Sequence, residues 1–494
     1  MLHRLPVELL LNIAPFLDID ENDGVDYRQR PNHDSLRQCS RHLYEIFTPL
    51  RFRDIEIRMT NVFSADGFWP QRPEGLPVVY FTKLLVRKPH FAGYVRSLEL
   101  HAYPGHGPEF RLSPIEPAPS RAEYGRIVKS VACSEPDSKK WLDDLLSGNE
   151  DAFIALLLVQ LKNLDTLELD IPEADQCPHL TRVIQRAAEP EACGYFSKLK
   201  SVCLHKGPTW EDYSGDSHMA LSRLVPFFHL PSIRRFQTGN VSTVASPAWP
   251  AGFFDRKSSL ASIELYRMPG VSPDFPDLIS LCTRLESFEY GSPFCSDDEG
   301  NEIFHPAAFY SPLKHSISTL RTLSLKLYPY RPPTEYPTPE FSERRFFGSL
   351  SDFSALENVR MRMCDLIPFR KHSWEPAAAL TEVLPASLRV LHITHVYVEA
   401  LPHLIAGFSD MVRHRNSRFR RLKTLVLHPL GMYTRGPYAD WTEPYLAKGF
   451  VPQWTKDLVV ELAPKVLELK AAFESAGGEL ALVSPYNYDR RDFP

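Results

Sequence analysis

A short apolar frame that returns eleven times constrains this chain more than any other feature. The frame is apolar, two variable residues, apolar, one variable, apolar. It begins at Phe52, Val95, Leu164, Leu199, Ile233, Leu260, Leu285, Leu320, Leu356, Leu388 and Leu422. Most starts are 25 to 36 residues apart. In a strand, successive side chains alternate faces. The fourth and sixth frame positions therefore point together into a core, and the fifth and seventh point away. Leu167, Leu169, Leu323, Leu325, Leu391, Leu425 and Leu427 are expected inside; Glu168, Ser324, His392 and Val426 are expected on an open face.

Between frames the apolar residues keep helical spacing, at Ala152–Leu161, Leu180–Ala188, Met219–Phe228, Pro276–Cys282, Ala307–Ile317, Ala377–Leu384 and Leu401–His414. One strand and one helix per unit is the pattern of a repeat array. The interval from Val95 to Leu164 holds about two units. It contains either an insertion, which the proline-rich stretch 104–120 favours, or one further unit. With this pattern the chain resembles a leucine-rich repeat protein over roughly residues 52–430. That resemblance implies an α/β solenoid with a curved parallel sheet and outer helices. The Asn or Cys usual at the ninth position of that family is present only as Cys364, so the regular asparagine ladder is missing.

The first fifty residues read differently. Pro6 suits the first turn of a helix. Leu9, Ile13 and Leu17 then recur every four residues, flanked by Leu10 and Phe16. A second helix is expected over Ser35–Phe47, with Leu36, Cys39, Leu43 and Ile46 on one face. Leu5, Pro6, Glu8, Leu9, Ile13, Leu17 and Asp18, followed by Leu36, Cys39, Ser40, Leu43 and Tyr44, resemble an F-box. The resemblance implies a helical hairpin that docks on a Skp-type adaptor and, through it, on a cullin. The residues it would place at that contact are Leu5, Pro6, Leu9, Ile13, Leu17, Leu36, Cys39, Leu43 and Tyr44. The acidic loop 19–34 is longer than the family's turn, and no Trp follows Tyr44. The alternative is a plain capping pair for the repeats, which need a polar-faced end.

The resulting organisation is an F-box at 1–50, a repeat solenoid at 51–445 and a capping segment at 446–494. In the cap, Gly477-Gly478 is expected to stop a helix ahead of a short strand. A net charge of −5 and a pI near 6.4 argue against a dedicated nucleic-acid binder. Forty-four prolines without excess glycine suggest stiff connections between short elements. No apolar run approaches the twenty or so residues of a membrane span. No secretory segment opens the chain, and the eight cysteines show no C-x-x-C spacing. A soluble protein of the cytoplasm or nucleus is expected.

No phosphate-loop, dinucleotide, zinc-protease or nucleophile-elbow motif occurs, so no catalytic residue, metal or cofactor is assigned. His392 and His395 lie three apart and read as unrelated surface residues, and Cys203 as a small half-buried strand residue. The basic run Arg413–Lys423 reads as a solvated helix end. The candidate partner-binding face carries Glu99, Glu168, Asp170, Glu264 and Glu289, then Lys326, Arg360, Arg362, His392 and His428. Acid gives way to base near residue 300. Followed by repeats and without catalytic motifs, the F-box resemblance implies a non-enzymatic substrate adaptor of a cullin–RING ubiquitin ligase, with a protein substrate on the repeat face. The alternatives are a scaffold without a cullin and an enzyme built on loops such as 103–120 or 292–306.

Overall fold

A computed structural model of the chain describes residues 6–13, 31–58, 77–101, 121–132, 134–171, 177–189, 194–206, 219–239, 241–242, 255–266, 268, 274–292, 306–327, 346–370, 373–415, 417–429 and 453–482. They fall in two compact units, the first ending at Ser259 and the second beginning at Leu260.

In the first unit the strands are β1 (Asp54–Arg58), β2 (Ser97–His101), β3 (Thr166–Ile171), β4 (Ser201–Lys206), β5 (Met219–Ala220), β6 (Arg235–Gly239) and β7 (Val241–Ser242). The main sheet runs β1-β2-β3-β4-β6, every pair parallel, and β5 and β7 form a separate short pair. The second unit holds β8 (Ser262–Tyr266), β9 (Ser287–Ser292), β10 (Thr322–Leu327), β11 (Asn358–Arg362), β12 (Val390–Val396), β13 (Thr424–Pro429) and β14 (Glu479–Leu482), parallel in chain order.

Each frame forms one strand, in the expected register. All seven leucines named above are buried. The sixth position at Thr238 and the fourth at Phe236 are buried as well, so the frame tolerates a polar member when its neighbours seal it. Helices pack on this leucine side. The Phe309 ring, from the helix Ala307–Leu313, lies 5.2 Å from Phe288 and 5.4 Å from Tyr290, the fourth and sixth positions of one frame.

The strands are joined at their starts by a repeated backbone pattern. The carbonyl of the second frame residue accepts from two successive N–H groups of the next frame. Arg96 O takes Asp165 N at 2.7 Å and Thr166 N at 3.0 Å; Asp165 O takes Lys200 N and Ser201 N; Lys200 O takes Arg234 N and Arg235 N. The second unit repeats this from Ala261 through Glu286, Arg321, Glu357 and Arg389 to Lys423. These bonds satisfy backbone groups at the start of the strands they enter.

The long interval between Val95 and Leu164 is an insertion. β2 pairs directly with β3, and the helices Arg121–Val131 and Glu135–Leu146 fill part of the interval. Residues 104–120 lie outside those described. Trp141 anchors the second of these helices: its indole N–H donates to Ala152 O at 3.0 Å and its ring stacks on His179.

Three expectations need correction. The helix expected over Ser35–Phe47 is two helices, α2 (Pro31–Cys39) and α3 (Arg41–Arg51), following α1 (Val7–Ile13). Ser40 separates them because its extended backbone and hydroxyl cap α3, accepting from Leu43 N at 3.2 Å. The helix expected over Met219–Phe228 is a strand pair, a 3-10 turn and one helical turn at Val225–Phe228. Met219, Leu221, Leu224, Val225, Phe227 and Phe228 are buried across all three conformations, so their spacing carries no helical information. The helix expected over Ala377–Leu384 shrinks to Leu380–Val383, closed by the approach to Pro385. The C-terminal segment follows expectation: a helix reaches Ser475, Gly477 takes φ +75°, and β14 completes the second unit's sheet against β13.

Candidate protein-interaction surfaces

The α1–α3 segment has a small core of its own. Leu10, Leu43 and Phe47 are buried together, with Leu36, Ile46 and Leu50 packed against them. Leu10, rather than Leu9, therefore faces inward. Leu9 is 47% exposed, beside Val7 at 40% and Leu11 at 43%, and Tyr44 on α3 is 41% exposed. Four of the seven exposed large hydrophobics among the described residues sit on these helices. Burying them against a partner would remove apolar area from water. Pro6 and Cys39 are also exposed and Leu36 is half-buried. Leu5 and Leu17 lie outside the described residues, as does the Ile13 side chain.

On the open face of the first unit, strand register stacks the fifth frame positions in one row: Glu56, Glu99, Glu168, Cys203 and Gln237. Asp170 faces His205 in the next row. Three like charges opposite one another on adjacent strands repel. Two imidazoles relieve them. His101 Nε2 contacts Glu99 Oε1 and lies 4.0 Å from Glu56 Oε1, while its Nδ1 is 3.4 Å from Asp170 Oδ2. Burial lowers the pKa of His101, but the Glu99 hydrogen bond and the charges of Asp170 and Glu99 outweigh it and raise it overall. His205 Nε2 lies 2.8 Å from Glu168 Oε1 and 3.2 Å from Cys203 Sγ. Burial holds the Asp170 carboxyl above its usual range despite both imidazoles.

The second unit divides. Glu264 and Glu289 are adjacent in register and half-buried, and Lys326 Nζ pairs with Glu289 Oε2 at 2.6 Å. From β10 onward much of the face expected to be open is buried, although Lys326 and Val426 stay half-buried. Ser324, Arg360, Arg362, His392, Thr394 and His428 are all less than 9% exposed. Their direction is as expected, since Leu391 and Ile393 occupy the opposite face in register with Leu425 and Leu427. Their availability is not. Arg362 forks onto Asp365, with Nε to Oδ2 at 2.8 Å and Nη2 to Oδ1 at 2.9 Å. The His392 and His428 rings stack with centroids 4.4 Å apart, and their Nε2 atoms are in contact. Burial pushes His392 down to about 2 and His428 to about 4, and the Arg360 guanidinium adds to both shifts. His392 is thus a buried partner of His428 rather than a solvated residue, and His395, with φ +54°, sits in a bulge of β12. Arg360, Arg362, His392 and His428 are therefore buried where the frame positions alone suggested an open face. A buried group gives a partner no surface to touch.

Strands and helices alternating in parallel, leucines on one side and a polar open row on the other, define a repeat protein that works by contact. Residues 126–428 match the leucine-rich repeat domain family, and the chain belongs to it. No curated protein matches the chain. Repeat domains of this kind serve protein–protein interaction. Among the described residues no helix is long and apolar enough to cross a membrane.

Proposed function

We propose that this chain is the substrate-recognition subunit of a cullin–RING ubiquitin ligase. The N-terminal helices dock a Skp-type adaptor, and the open row of the repeats holds a protein substrate. The observation that carries the reading is the exposure of Val7, Leu9, Leu11 and Tyr44 around a core that needs none of them. These helices also carry the Leu-Pro-x-Glu-Leu and Cys-Ser-Arg strings that resemble an F-box. Ubiquitin transfer in such an assembly is performed by other subunits, so the chain needs no catalytic residue. On the substrate side, the half-buried Glu99 and Glu168 make a lysine- or arginine-rich segment the complementary partner for the first unit, whereas Asp170 is buried and the Glu56 side chain only 8% exposed.

The test is affinity purification of the full chain and of a Leu9→Asp/Tyr44→Asp variant, read by mass spectrometry. The adaptor and a cullin copurify with the wild type, and both are lost from the variant while the repeat-bound partner remains. A wild type that retains a repeat partner but brings neither adaptor nor cullin defines a scaffold instead.

A further inference from the structure

The row of carboxylates in the first unit ends in a donor set of another kind. On β3 and β4, Glu168 and Cys203 stand directly opposite each other, and His205 is two residues beyond Cys203 on the same face. Glu168 Oε1, Cys203 Sγ and His205 Nε2 all lie within 4.8 Å of one another. His205 Nε2 is 2.8 Å from the carboxylate and 3.2 Å from the sulfur. We propose that these three residues bind a divalent transition-metal ion, with zinc the best fit to the donors.

Three physical points carry this. First, one carboxylate, one thiolate and one imidazole form the mixed hard and soft set that suits zinc rather than calcium or magnesium, which take oxygen ligands. Second, the two spacings from His205 Nε2 are near what a tetrahedral ion imposes. Metal–ligand bonds of about 2.0 to 2.3 Å at tetrahedral angles place donors about 3.3 to 3.6 Å apart. The carboxylate and the sulfur need to move away from Nε2 by only about half an ångström, and all three side chains stand on rigid adjacent strands. Third, the site lies beside Glu99 and Asp170, so a cation offsets repulsion that the two imidazoles only partly relieve. The Glu168 and His205 side chains are 34% and 29% exposed, which lets the ion enter and leaves a fourth position facing solvent.

On binding, the Cys203 thiol loses its proton to solvent and the sulfur becomes the ligand; Glu168 and His205 bind as carboxylate and neutral imidazole. No oxidation is involved. A three-ligand site with an open fourth position is the arrangement that accepts water or a ligand atom from a partner. The proposal does not require the ligase reading, although the two share Glu168: an ion there takes that carboxylate out of the acidic row.

The test uses the purified full chain, reduced, titrated with cobalt(II) as the spectroscopic substitute for zinc. One equivalent is expected to bind and to produce a thiolate-to-cobalt charge-transfer band, which zinc then abolishes. Cys203→Ser removes the band. His205→Asn weakens binding by more than about 100-fold, beyond the 10- to 100-fold usual for outer-shell partners. Cys39→Ser, at an exposed cysteine of α2, leaves the band unchanged. The proposal is overturned if the wild type shows no charge-transfer band, or if the band survives Cys203→Ser. The first of these outcomes requires no variant to fold.

Discussion

Arg362 and Asp365 form a forked ion pair with almost no access to water: the arginine side chain is 5% exposed and the carboxylate 0%. Two parallel N–H···O bonds at 2.8 and 2.9 Å satisfy both carboxylate oxygens. The pair joins the end of β11 to the helical turn Met363–Leu366. Removing one partner leaves the other charge buried and unpaired, which costs about 3–5 kcal/mol. Asp365→Ala is therefore expected to lower the unfolding free energy by that amount in chemical denaturation. Reversing the charge of Arg362 is expected to unfold the second unit rather than to change its partners. A stability loss below about 1 kcal/mol would show that the pair is open to solvent.

A second consequence is pH dependence. An unfolded histidine titrates near 6.5. Folded His392 and His428 stay neutral until about pH 2 and about pH 4. Because both folded values are depressed, the unfolded chain takes up protons that the folded chain refuses. Their contribution is complete above about pH 6.5 and is lost as the pH falls below it. The slope is at most about 1.4 kcal/mol per pH unit for each ring. Denaturation midpoints between pH 7.5 and 5.5 are expected to fall, and a His392→Gln/His428→Gln variant to flatten the decline. The same slope in both proteins would assign the effect to other groups.

The leucine side makes a third prediction. Leu167 is 0% exposed and Leu425 1%. Truncation of either to alanine leaves a cavity between sheet and helices, at a cost of about 2–5 kcal/mol. Glu168→Ala, one residue from Leu167 but facing away, is expected to cost less than about 1 kcal/mol. Equal losses at Leu167 and Glu168, measured by urea denaturation, would contradict the register, because a one-residue slip exchanges the two faces.

Both faces of the sheet are legible in the amino-acid sequence. Leu167 and Glu168, or Leu391 and His392, differ by one position in a frame of period two, and side-chain direction follows that period. What the frame does not encode is whether anything covers its polar side. Glu99 and His392 both occupy the fifth position, yet Glu99 is half-buried and His392 is buried. The grouping of Glu168, Cys203 and His205 is hidden in the sequence for a different reason. Cys203 lies 35 residues from Glu168, and only strand register sets the two side by side. In α1 a stripe at every fourth residue points to Leu9, whereas among the described side chains of this helix it is Leu10 that packs into the core with Leu43 and Phe47. Ser40 is a strong helix-capping residue, and that signal in the sequence marks the break between α2 and α3.

On this proposal the N-terminal helices carry a docking surface separate from their core. The direct measurement is titration calorimetry of the purified full chain with a purified Skp-type adaptor. Wild-type chain is expected to bind with one-to-one stoichiometry and a negative heat-capacity change, the mark of buried apolar area. Leu9→Asp places a charge in that contact and is expected to abolish binding, while its denaturation curve matches the wild type because Leu9 lies outside the Leu10, Leu43 and Phe47 core. Wild-type affinity retained by Leu9→Asp, or no binding by the wild type, would contradict the account.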